Sequence, residues 1–246
     1  MPISLIIHGY PRMEKSGGPI YDFFERKGWQ MVVPDLFTDA VSFTKEGIRT
    51  NIKNTLAGRI PDVVVGVSLG GLIAPSIIKD YPEAKLIMIA TGPYLKPDFK
   101  IYNLILRLVK KRKVLETLDK LLKLFPEKSL LFFYKIVNRH HSNGPNDKRL
   151  SQWCAGQDIK AFLKISAGKG REIIDYATNI DNQIILGTIR NKTLILGGEN
   201  DILMPLALSE KLKDLLIDSS LVVTAGEHFN VFNKEGLLKI EKFLAE

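Results

Sequence analysis

With 246 residues, 45% of them hydrophobic and 25% charged, the chain has enough apolar material for one globular domain, or one domain carrying an insertion. Its aliphatic stretches, Ile3–Ile7, Val63–Val67, Leu86–Ile89 and Leu194–Leu196, are too short to cross a bilayer. Cys154 is the only cysteine, so no internal disulfide can form and a reducing cytoplasmic setting is expected. The formal charge of +8 is concentrated: 14 basic and 5 acidic residues fall between Leu95 and Leu150, a net of +9, while the rest of the chain nets −1.

Ile3 to Ile7 reads as a strand, entered without the basic, apolar and small-residue pattern of a signal peptide. His8-Gly9-Tyr10-Pro11 ends it. A helix follows from Ile20 to Lys27, with Ile20, Phe23 and Phe24 on one face and Gly28 where a left-handed cap is expected. Gln30 to Val33 is the next strand, stopped by Pro34-Asp35, with a capping or turn role for Asp35. Helical residues from about Phe43 to Gly58 lead to a strand over Asp62 to Val67, a helix over Leu69 to Asp80 and a strand over Lys85 to Ala90. Strand and helix alternating in units of this size predict a mostly parallel, doubly wound α/β sheet covered on both faces.

The alternation breaks at Leu95. Residues 95–179 read as a helical cap inserted into a core made of 1–94 and 180–246. Ile101 to Phe125 has apolar residues at helical spacing, interrupted by Lys110 to Lys113 and closed by Pro126. Leu130 to Val137, Gln157 to Ile165 and Glu172 to Ala177 are further predicted helices. The sheet pattern resumes with a strand at Lys192 to Leu196, a helix at Pro205 to Leu216, a strand at Ser220 to Thr224 and a helix at Lys234 to Leu244.

The segment Asp62 to Ala74 organises the rest. A β-branched run ends in Gly66-Val67-Ser68-Leu69-Gly70 and an apolar helix follows at once. This is the strand, sharp turn and helix in which G-x-S-x-G lifts a serine hydroxyl above a sheet. A side chain at either glycine would clash where strand and helix come close. Leu69 opens the helix, so its N–H has no intrahelical acceptor and can face a negative charge. Serine becomes a useful nucleophile when a histidine takes its proton and a carboxylate orients that histidine. Ser68, Asp201 and His228 each sit where a strand meets its following loop, at one edge of a parallel sheet. Glu199 competes with Asp201 for the acid role, although Asp201 has the better position before Pro205.

Four stretches together resemble the α/β-hydrolase family: His8-Gly9, Gly66 to Gly71, Gly197-Gly198-Glu199-Asn200-Asp201 with Pro205, and Gly226-Glu227-His228-Phe229. The resemblance implies Ser68 as nucleophile, Asp201 as orienting acid and His228 as base. It implies a second oxyanion donor, the N–H of Tyr10, beside that of Leu69, and a helical cap where 95–179 falls. The family core often begins with an antiparallel hairpin, which this chain does not carry ahead of Ile3; a trimmed sheet edge is expected. His8 is expected to prop the oxyanion loop.

The resulting expectation is a serine hydrolase of carboxylic esters or related acyl bonds, needing no cofactor. Leu104, Leu108, Phe132, Phe133, Tyr134 and Trp153 are candidates for an apolar acyl pocket beneath the cap. Rival readings are the same fold acting on a thioester, amide or carbon–carbon bond, and a non-catalytic binding protein. The basic cap reads as a solvated face, or as a surface for anionic, lipid-like substrates or an anionic membrane. No nucleic-acid module is recognisable and no Cys/His spacing suggests a metal.

Overall fold

The computed structural model describes residues 1–10, 18–96, 164–228 and 230–246, with single positions between 114 and 124. In chain order the elements are β1 (Ile3–Ile7), α1 (Pro19–Arg26), β2 (Gln30–Val32), α2 (Lys45–Leu56), β3 (Val63–Val67), α3 (Leu69–Ile78) and β4 (Lys85–Ile89). Further along the chain come α4 (Ala167–Asn179), α5 (Gln183–Leu186), β5 (Thr193–Gly198), α6 (Leu206–Leu215), β6 (Ser219–Thr224) and α7 (Lys234–Ala245). The expected strands and core helices are present, with ends that agree to a residue or two. Gly28 has φ of 71°, as its place after α1 predicts. The short α5 is an addition that periodicity could not announce, since four residues make barely one turn.

The six strands lie in the order β2-β1-β3-β4-β5-β6, and every neighbouring pair is parallel. Alternating side chains divide the interior in two. Leu5, Ile7 and Val64 face a core completed by Ile48 and Ile52 of α2, Leu72 and Ile73 of α3, and Leu212 of α6. Ile6, Val63 and Val65 face the opposite core, closed by Phe23 and Phe24 of α1 and by Ile240 and Phe243 of α7. Strands covered on both sides have no polar face, so Val63, Val64 and Val65 form an unbroken apolar run. Burying one such side chain fully contributes about 1.5–3 kcal/mol.

Register decides where the site lies. Ile7 pairs with Gly66, Val67 with Ile89, Ile89 with Leu196, and Gly198 with Thr224. The C-terminal ends of β1, β3, β4, β5 and β6 therefore share one edge of the sheet, and the loops that leave them can meet.

The excursion between β4 and β5 starts and finishes at one place. Tyr94 and Asp181 form an antiparallel bridge, and the Asn182 N–H donates to the Pro93 carbonyl at 2.9 Å. The Asn182 side-chain amide donates to the Leu72 carbonyl at 2.8 Å, tying the return to α3. Of the helix expected between Ile101 and Phe125 the described residues are Val114, Glu116, Thr117, Lys120 and Leu124, all helical; the helix expected between Leu130 and Val137 and most of that over Gln157 to Ile165 lie outside the described residues.

The last helix of the excursion, α4, is held to the loop after β2. The Ser166 hydroxyl donates to Asp39 at 2.7 Å. Lys169, only 3% exposed, donates to the Val41 carbonyl and pairs with Glu172 at 2.6 Å. Glu172 also accepts from the Phe43 N–H at 3.0 Å. These bonds, first that from Lys169 and then that from Phe43, hold the Glu172 carboxyl below its ordinary value. Tyr176 packs edge-on against Phe43, and burial pushes its phenol up to about 12. Among the described residues no helix is long and apolar enough to cross a membrane.

Candidate active site

The turn between β3 and α3 is fixed by close packing. A Cβ on Gly66 would stand 2.7 Å from the Gly71 Cα, and one on Gly70 would collide with the Ile7 carbonyl. With both positions bare, the chain can turn sharply enough to put Ser68 at φ 52° and ψ −117°. A non-glycine residue there is strained by an amount on the order of 1–3 kcal/mol. The Ser68 N–H donates to the Ile89 carbonyl at 2.9 Å, and the Ser68 carbonyl accepts from the Gly71 N–H and the Thr91 hydroxyl, each at 2.9 Å.

The structure brings Ser68, His228 and Asp201 within hydrogen-bond distance of one another in a row. His228 Nε2 lies 2.9 Å from the Ser68 Oγ, and His228 Nδ1 lies 2.7 Å from Asp201 Oδ2. The second Asp201 oxygen accepts the N–H groups of Leu203 at 2.9 Å and Met204 at 2.8 Å. Both carboxylate oxygens are thus occupied, and the Asp201 side chain is fully buried. Glu199 is exposed on the same loop, so Asp201 is the acid that meets the histidine. Chemically the row is a hydroxyl, a base within proton-transfer distance, and a buried anion that keeps a proton on Nδ1 and leaves Nε2 as acceptor.

The loop after β1 lies against the serine. A Cβ on Gly9 would stand 3.0 Å from the Ser68 Cβ, so Gly9 backbone and Ser68 are in close approach and Tyr10 follows directly. His8 is buried beneath this loop, with Nε2 donating to the Pro34 carbonyl at 3.0 Å and Nδ1 2.9 Å from the Gly9 carbonyl. It props the loop, as expected. Phe37 packs edge-on against both His8 and Tyr10, and stacks on Phe43. Leu69 opens α3, placing its N–H in the first turn. Asp35 is exposed in the loop after β2.

Leu104, Leu108, Phe132, Phe133, Tyr134 and Trp153, the candidate pocket residues, lie outside the described residues, as do Lys110 to Lys113. Sequence reasoning missed the backbone donors at Leu203 and Met204 and the hydroxyl of Thr91. The first two could have been found from the Asp201-to-Pro205 turn, where an aspartate accepts N–H groups two and three residues ahead.

No protein-family model matches the chain, and no curated protein matches it in sequence. Solved structures do match. A bromoperoxidase from Bacillus anthracis aligns over 100% of this chain and 92% of its own, with a TM-score of 0.73 and 16% identity. An enol-lactonase from Burkholderia xenovorans gives the same coverage and a TM-score of 0.73 at 12% identity. An esterase from Exiguobacterium antarcticum, again with that coverage, gives 0.69 at 14%. The chain has the α/β-hydrolase fold. In this α/β-hydrolase fold the parallel sheet and its flanking helices agree with the architecture expected from sequence. At such identities the likeness is one of fold, and chemistry has to be argued from the side chains.

Proposed function

We propose that the protein is a serine hydrolase that cleaves a carboxylic ester or a related acyl bond through an acyl-enzyme on Ser68. One observation carries the reading: the hydrogen-bonded row Ser68–His228–Asp201, at 2.9 and 2.7 Å, on a strained turn at the edge of the sheet. A purely binding role makes no demand on all three residues, nor on the strain at Ser68.

In this reading His228 Nε2 takes the Ser68 proton as the oxygen attacks the carbonyl carbon. The carbonyl oxygen becomes an oxyanion, held by the N–H groups of Leu69 and Tyr10. His228 then passes its proton to the leaving alcohol and the acyl group remains on Ser68. Water, deprotonated by His228, attacks the acyl-enzyme through a second oxyanion and releases the acid. Asp201 stays ionised throughout and steadies the imidazolium. Thioester, amide and carbon–carbon cleavage would use the same serine and differ in the group that leaves. The basic segment between Leu95 and Leu150 favours an anionic or lipid-like acyl substrate, and the same charge gives weak contact with an anionic membrane surface. A chain with a single cysteine suits the cytoplasm.

A fluorophosphonate probe should label Ser68, and Ser68→Ala should abolish both labelling and turnover across a panel of p-nitrophenyl ester, thioester and anilide substrates. Adduct mass on another residue, or turnover surviving in Ser68→Ala, would remove Ser68 from the role.

A further inference from the structure

Ser68 is gripped from both sides by the end of β4. Its N–H donates to the Ile89 carbonyl at 2.9 Å, and its carbonyl accepts from the Thr91 hydroxyl at 2.9 Å. Between those two residues stands Ala90, at φ 48°. This left-handed residue turns the chain so that groups on either side of it reach the same serine. Thr91 is 1% exposed and occupies the space over Gly71, where a Cβ would overlap its side chain. A left-handed alanine, a bare glycine and a β-branched hydroxyl residue thus converge on one carbonyl.

That carbonyl already has two donors from its own helix, the N–H groups of Gly71 at 2.9 Å and Leu72 at 3.3 Å. A third donor adds little to fold stability that the helix lacks. Its effect is on direction. The Ser68 carbonyl and the Leu69 N–H belong to one planar trans peptide and point opposite ways. Whatever fixes the carbonyl also fixes the N–H, and charge drawn toward the carbonyl oxygen leaves the N–H a better donor.

We propose that Thr91 is a positioning residue for the oxyanion donor at Leu69, acting through the Ser68–Leu69 peptide; this rests on the serine-hydrolase reading above. Thr91 touches neither substrate nor the reacting atoms. It aims a donor that is needed most when negative charge develops, so its loss falls on the chemical step and not on substrate binding.

The test uses the full chain with p-nitrophenyl butyrate as substrate and an alkyl trifluoromethyl ketone as inhibitor, which forms a tetrahedral adduct on serine. Thr91→Val keeps the shape over Gly71 and removes the hydroxyl. It should lower kcat by about three- to tenfold, the worth of one hydrogen bond, and leave KM within about twofold. The Ki of the ketone should rise by the same factor as kcat falls. Thr91→Ser should restore both. If Thr91→Val does not fold, Thr91→Ser and Thr91→Cys, which differ by one atom, replace it, and the serine variant should turn over several-fold faster. Unchanged kcat and Ki in Thr91→Val, or a serine variant as slow as the valine or cysteine one, overturns the proposal while the Ser68 reading stands. A wild type without Ser68-dependent turnover or labelling overturns both.

Discussion

The turns after β3 and β5 leave the same edge of the sheet, yet they hold their residues by different physics. After β3 the geometry is steric: Gly66 and Gly70 stay bare because backbone fills the space a Cβ would need, and Ser68 is forced into a left-handed conformation. After β5 the geometry is polar: Asp201 is placed by the N–H groups of Leu203 and Met204 on one oxygen and by His228 on the other. A steric site should be intolerant of added volume, and a polar one should be intolerant of a change in donor or acceptor at constant volume.

The largest expected effect tests the polar turn. Asp201→Asn keeps the shape and offers an amide where a second acceptor is needed, so His228 takes the wrong tautomer. Turnover should fall by about 10⁴, as such a change can cost in a serine triad. Circular dichroism and Tm should report an intact fold; if turnover falls only with loss of folding, Asp201 matters for structure alone.

Next comes the steric turn. Gly70→Ala adds one methyl group that has no room beside the Ile7 carbonyl, and the obstacle is backbone that cannot rotate away. Destabilisation of about 1–3 kcal/mol or more is expected in urea unfolding, with fluorophosphonate labelling slowed even in the folded fraction. A variant with wild-type stability and labelling would mean that the turn relaxes, and the contrast between the two loops would collapse.

Smaller effects sharpen the picture. Glu199→Gln lies on the same loop as Asp201 but is exposed, and turnover should change by less than about twofold, the ordinary range for a surface substitution. Glu172 supplies a pH test away from the edge. Its folded carboxyl is held below the ordinary 4.5, so its contribution to stability is complete above that value and is lost as pH falls through the lower folded one. Glu172→Gln should therefore lose stability at neutral pH and narrow the gap to wild type on acidification. Equal pH dependence in the two proteins, followed by Tm, would show that the Lys169–Glu172 pair contributes nothing in that range.

Legibility in the sequence followed the same division. The elbow was readable because its demands are local: two glycines, a serine and an apolar helix within nine residues of Val63 announce it. Asp201 was readable as a residue at a strand end, but its preference over Glu199 depends on which side chain turns inward to meet Leu203, Met204 and His228. Thr91 was not readable. Its partner is 23 residues away, and a threonine after a strand has no pattern that separates it from any other. The buried Lys169 was equally hidden, since its acceptor at Val41 lies 128 residues upstream and a lysine in a helix ordinarily reads as surface.

The closure of the excursion by the Tyr94–Asp181 bridge bears on how much chain the core can carry there. When two ends of a long segment are pinned side by side, the core does not register how much chain lies between them. The entropy of closing such a segment grows by only about 0.6 kcal/mol for each doubling of its length. The part of that stretch ahead of Ile165, where the return to the core begins, is therefore the part most open to a change of length. Changes of length ahead of Ile165 should cost the core little stability, because the turns that hold Ser68, Asp201 and His228 are fixed by their own packing and hydrogen bonds.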